Sequence, residues 1–159
     1  MPFINRRTFT IATAGLAILP PSLALASGHQ VEMLNKHPSD NTRMVFNPRL
    51  ITVNVGDTVT FVPTDKSHNS ESIKGMAPDG AELWKGKINQ EVAVTFSQPG
   101  YYGYKCTPHV ALGMVGLIVV EGDGKLDSLE AAKAVKHRGK AKKVFQEIWA
   151  EAESQGLTA

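Results

Sequence analysis

Three residues near the end of the chain have the types and the spacing to hold a metal. Cys106, His109 and Met114 lie within nine positions of one another, in Cys106-Thr107-Pro108-His109-Val110-Ala111-Leu112-Gly113-Met114. The thiol is the only cysteine of the 159 residues. A thiolate, an imidazole and a thioether are soft or borderline ligands, and together with one further imidazole they make the donor set of a copper electron-transfer site, two His and one Cys in a plane with a long axial Met. A lone thiol is more often an inert buried side chain. Here a histidine and a methionine follow it at once, and an exported protein gains nothing from an unoccupied thiol.

The elements around these residues must position them. Tyr101 to Tyr104 enters the loop as an apolar, β-prone run, and Val115 to Val120 leaves it as a stronger one, so the donors project from a strand-loop-strand unit. Upstream, Val31 to Leu34, Met44 to Phe46, Leu50 to Val55, Thr58 to Val62 and Glu91 to Phe96 read as short strands. Val92, Val94 and Phe96 alternate onto one face, and Gly56-Asp57 and Pro99-Gly100 mark turns. Short strands without a βαβ rhythm predict an all-β sandwich or Greek-key barrel. After Gly122 the period changes. Leu126, Leu129, Ala132 and Val135 predict one helix, capped by Asp127 or Ser128, and Val144, Phe145, Ile148, Trp149 and Ala152 predict a second beyond Arg138-Gly139. Their narrow apolar stripes are expected to pack on the sandwich.

The amino terminus reads as an export signal. Arg6 and Arg7 precede the apolar run Ile11 to Leu19, and Ala24-Leu25-Ala26 has the small-x-small form of a cleavage site, which places the cut after Ala26. Arg6-Arg7-Thr8-Phe9 also fits a twin-arginine signal, without separating that route from the ordinary one. The run is too short to span a bilayer. Arg6 and Arg7 carry the whole formal excess of +2, so the mature chain balances 15 basic residues against 15 acidic ones. Charge therefore gives no support for nucleic-acid binding.

A second imidazole must come from the remaining four histidines. His29 stands at what reads as a frayed new terminus, His37 in a loop and His137 in the helical tail. Only His68 follows a strand, in the turn after Phe61-Val62-Pro63, and Asn69 beside it has the side chain to tie that turn to the loop of Cys106.

With these residues in view the chain resembles the cupredoxin family of small blue copper proteins, from about Val31 to its end. The resemblance rests on Cys106-x2-His109-x4-Met114, on His68-Asn69 after a strand, on the segment Glu71 to Glu82 and on two C-terminal helices. It implies a cupredoxin Greek-key β-sandwich over residues 27–122 with a helical extension over 123–159. It implies one type 1 copper ion, with His68, Cys106 and His109 equatorial and Met114 axial, and Asn69 beside the sulfur. It implies a periplasmic, monomeric one-electron carrier rather than an enzyme. A c-type cytochrome would be the donor, and a copper nitrite reductase or a cytochrome-type reductase the acceptor. Partners would dock at an apolar patch of Met76, Ala77, Pro78, Pro108, Leu112 and Gly113, rimmed by Lys36, Lys66, Lys74, Lys85, Lys87 and Lys105, of which Lys66 and Lys105 lie nearest the ligands. Leu112 departs from the pattern, which has a second methionine there.

Two rival readings belong to other classes. A zinc or copper-handling module could use the same donors without passing electrons. A Cys106-His109 hydrolase would lack an orienting third residue and leave Met114 without a role. A two-copper centre would need a second cysteine.

Overall fold

The structure is a computed structural model and describes residues 27–159; the expected export signal lies outside the described residues. Among the described residues eight strands form two sheets. They are β1 (Gly28–Lys36), β2 (Arg43–Asn47), β3 (Leu50–Asn54), β4 (Thr58–Val62), β5 (Glu71–Ser72), β6 (Val92–Thr95), β7 (Gly100–Lys105) and β8 (Val115–Glu121). One sheet has the order β2-β1-β4-β6 and the other β3-β8-β7-β5. Each contains one parallel pair, β1 with β4 and β3 with β8. The donor residues lie on two connections: His68 where the chain passes from β4 of one sheet to β5 of the other, and Cys106, His109 and Met114 on the turn that joins the antiparallel pair β7 and β8.

Alternation along the strands builds two cores. Between the sheets lie Val31, Met33, Phe46, Phe61, Tyr102, Tyr104, Ile118 and Val120, with Cys106 and Met114 at one end. The opposite face of the second sheet presents Tyr101, Val115, Leu117 and Val119. Strand β8 is buried on both faces, which explains its unbroken apolar run. Helices α1 (Leu129–Ala134) and α2 (Lys140–Ser154) cover the outer face with Leu129, Ala132, Ala141, Phe145, Ile148 and Ala152.

Two helical expectations change in detail. Leu126 falls in a 3-10 turn over Lys125–Ser128 and is exposed, so α1 is shorter than its spacing predicts. Ser128 occupies the N-cap position of α1, yet its hydroxyl makes no capping bond. It accepts instead from the backbone N–H of Tyr101 at 3.1 Å, a bond to the sheet that no local rule anticipates.

The amino end is held down, not frayed. The Asp57 carboxylate is buried and accepts from the backbone N–H of Asn54 at 2.8 Å and of Ser27 at 2.7 Å, while His29 Nε2 lies 3.2 Å away. These partners, Asn54 first and then Ser27, hold its carboxyl down to about 2.

Two outcomes follow from this packing. Phe145→Ala is expected to lower the unfolding free energy by about 3–5 kcal/mol in a urea titration, because the ring is buried between α2 and β8. For Asp57 the folded-state value lies below the ordinary carboxylate value, so its stabilisation is present above about pH 4 and is lost as pH falls toward 2. Asp57→Ala should therefore melt below the parent protein near neutral pH, and the gap in Tm should close across that acid window.

Candidate metal centre

The donors meet at one end of the sandwich because two connections end there. After β4 the chain runs through Pro63 and turns back, placing His68 in a fully buried position, with its carbonyl accepting from Asn89 N–H at 2.9 Å. After β7 the backbone stays extended at Cys106 and then winds into a 3-10 turn over Thr107–Leu112, with Pro108 in its first turn. Gly113 closes the turn at φ 91°, a left-handed conformation that side chains rarely adopt. Cys106 N–H donates to Met114 O at 3.0 Å and Met114 N–H to His109 O at 3.2 Å. The turn is thus closed on itself, with Cys106 and Met114 both fully buried at its base.

His68 Nδ1 lies 3.1 Å from His109 Nδ1, and Cys106 Sγ lies 3.7 Å from the first and 3.5 Å from the second. Among the described residues these three form the one His/Cys/Asp/Glu group placed to hold a metal, with their ligand atoms within 4.8 Å of one another. A metal about 2.0 Å from nitrogen and about 2.3 Å from sulfur leaves its donors roughly 3–4 Å apart, so the triangle has the right size for an ion at its centre.

Its electrostatics suit a metal as well. Burial, and then the neighbouring His109, lower the pKa of His68, which favours the neutral imidazole a metal requires. Burial raises the pKa of the Cys106 thiol, while the backbone N–H groups of Asn69 and His109 pull it back by stabilising negative sulfur. Without a cation this thiol holds its proton. With a metal bound the sulfur would be a thiolate, and the two N–H groups would stabilise its charge.

Asn69 does what its place in the sequence suggests. Its side chain donates to Gly86 O at 3.0 Å and to Thr107 Oγ1 at 3.1 Å, and accepts from Thr107 N–H at 2.8 Å. It therefore pins the loop of the first sheet to the turn of the second. The residue that sequence reasoning missed is Asn35. Its Oδ1 lies 3.0 Å from His68 Nε2, which must donate there and so leaves the Nδ1 lone pair facing the sulfur. The parallel register of β1 beside β4 brings Asn35 to this loop, where the bond from Asp65 N–H to Met33 O and the bond from Asn35 N–H to Asp65 Oδ2 at 2.7 Å hold it.

The expected surface around His109 needs correction. Met76 is fully buried and packs against Gly103 in the middle of β7, while Pro78 packs against Gly100 at that strand's far end. Five residues of strand, about 16 Å, separate Gly100 from Lys105 beside the donors. Of the expected patch Pro108 and Leu112 are exposed beside His109 while Gly113 is buried, and the apolar surface there is completed by Ala111 and by Ile88 in a shared groove with Pro108. Of the basic residues, Lys85 and Lys105 each lie 3.9 Å from Glu71, which offsets part of their charge.

Two packed sheets that gather a cysteine thiol, two imidazoles and a thioether at one end define a cupredoxin. The sequence model for copper-binding proteins of the plastocyanin/azurin family matches residues 31–121. A pseudoazurin from Methylorubrum extorquens is 46% identical over 148 residues, 93% of this chain and 97% of the relative. Another from Paracoccus pantotrophus is 47% identical over 131 residues, 82% and 86% of the two chains. A solved pseudoazurin from Sinorhizobium superposes with a TM-score of 0.74 at 53% identity, covering 80% of this chain and 97% of that one. The chain belongs to the copper-binding plastocyanin/azurin family, in its pseudoazurin branch. It is a cupredoxin electron carrier and not an enzyme, and its cofactor is copper.

Asn35→Ala should weaken copper binding by roughly 10–100-fold, measured by chelator competition, because His68 loses the partner that sets its tautomer and ring orientation.

Proposed function

We propose that this protein is a periplasmic one-electron carrier in which His68, Cys106, His109 and Met114 would together hold one type 1 copper ion. The observation that carries this reading is the triangle of two Nδ1 atoms and one Sγ, flanked by Asn35 behind His68 and by Asn69 bonded to Thr107 beside Cys106. Copper would supply the exchange between Cu(II) and Cu(I). The protein's part is to keep the donors in a geometry that suits both oxidation states, so that little moves when the electron does.

His109 is the more exposed imidazole and is the proposed exit for the electron. Pro108, Ala111 and Leu112 beside it form a small apolar surface, of the kind used in brief redox encounters. Exposed Lys66, Lys85 and Lys87 would steer an acidic partner toward it. The partners in this reading are a c-type cytochrome as donor and a copper nitrite reductase or cytochrome-type reductase as acceptor. Met1 to Ala26 would be the export signal, residues 27–122 the sandwich and 123–159 its helical extension, in a monomer. Among the described residues no helix is long and apolar enough to cross a membrane.

The test is a visible spectrum of the copper-loaded protein before and after ascorbate. An intense blue absorption that bleaches on reduction and is absent in Cys106→Ser is the expected result. A colourless protein that binds zinc tightly in its place would overturn the electron-carrier reading.

A further inference from the structure

A second set of metal donors lies at the start of β1. Cleavage after Ala26 makes Ser27 the first residue, followed by Gly28 and His29. A free α-amine, the two backbone amides that follow it and an imidazole on the third residue offer four nitrogens in one plane. Square-planar nitrogen coordination is what Cu(II) and Ni(II) select. We propose that Ser27-Gly28-His29 is a second metal site, a square-planar four-nitrogen chelate for Cu(II) or Ni(II), separate from the copper centre. This rests on the reading that Ala26 is the last residue removed.

The fold gives these residues open space on one side and a carboxylate partner. Gly28 is exposed, and nothing lies within 4 Å of the position a side chain would take there. Strand β2 pairs with β1 only from Glu32 to Lys36, so Gly28, His29 and Gln30 border β4 alone. One carboxylate gathers both ends of the chelate, since Asp57 Oδ1 lies 2.7 Å from Ser27 N and Oδ2 3.2 Å from His29 Nε2. A carboxylate on one ring nitrogen is the usual partner of a histidine that binds metal through the other, and here it leaves Nδ1 for the ion. Six residues along β1, about 20 Å, separate His29 from Asn35 at the copper centre.

The chemistry balances without a further reactant. The ion displaces one proton from the Ser27 ammonium and one from each amide nitrogen of Gly28 and His29. The two amidates offset its double charge, and Nδ1 contributes a neutral lone pair. The chelate competes with the end of the strand, because Gly28 and His29, whose amide nitrogens it takes, pair with Thr58 and Val59 of β4, and Ser27 O accepts from Thr58 N–H at 3.1 Å.

The experiment begins with intact mass and N-terminal sequencing of the protein recovered from the periplasm. The protein carrying one equivalent of copper, shown by its full blue absorption to sit at Cys106, is then titrated with Ni(II) alone and followed by visible circular dichroism. The expected result is a first residue of Ser27, a square-planar Ni(II) band that saturates at one equivalent, and loss of that band in His29→Ala while the blue absorption is kept. A protein that begins at Ser27 but shows no band, or keeps it in His29→Ala, overturns the site and leaves the export reading standing. A different first residue overturns the cleavage reading and the site with it.

Discussion

The hydrogen bonds of Asn69 are the constraint on which the rest of the structure depends. His68 belongs to a loop that leaves one sheet, and Cys106 to a turn that leaves the other, so nothing in either sheet alone keeps them together. The Asn69 side chain spans that gap, with Thr107 N–H at 2.8 Å and Thr107 Oγ1 at 3.1 Å. Two imidazoles and a thiol crowded this closely gain little from one another without an ion. The folded chain has to hold them there, and this bridge, with Asn35 behind His68, does so.

Rigidity at the site is inherited from the two cores. Tyr104, immediately before Lys105 and Cys106, is packed edge-on against Phe46 at 4.8 Å and Phe61 at 5.0 Å between ring centres. Strand β8, which follows Met114, has no free face, because α2 covers the side that the sandwich does not. The helical extension thus acts on the metal centre at one remove. It buries the outer face of the strands that carry Cys106 and Met114, and Val144 of α2 also packs against Gly113 at the end of the 3-10 turn. An electron carrier profits from such backing, since a site that cannot relax has little to reorganise between its two charge states.

The amino end shows the same economy of construction. Asp57 sits in the turn between β3 and β4, yet its carboxylate accepts from the N–H of Asn54 at the end of β3 and from that of Ser27 just before β1. One buried acid fixes both the turn and the strand that enters beside it.

Much of this protein was legible in the residues themselves. The spacing of Cys106, His109 and Met114 is local, and a turn short enough to join β7 to β8 leaves these side chains no room to separate. The strands were legible because alternation and β-branching record which face is buried, and β8 because an unbroken apolar run needs cover on both sides. His68 and Asn69 were found by elimination and by their place after a strand. Tertiary structure alone decided that Asn35 reaches His68, that Met76 is buried under β7 instead of standing near His109, that Ser128 bonds to Tyr101 N–H in place of capping its helix, and that His29 is held by Asp57. Each depends on elements far apart in the chain, and on the register in which they meet. Residue types and local spacing set a segment's conformation, whereas the neighbour it finds across a sheet is set by how the whole core packs.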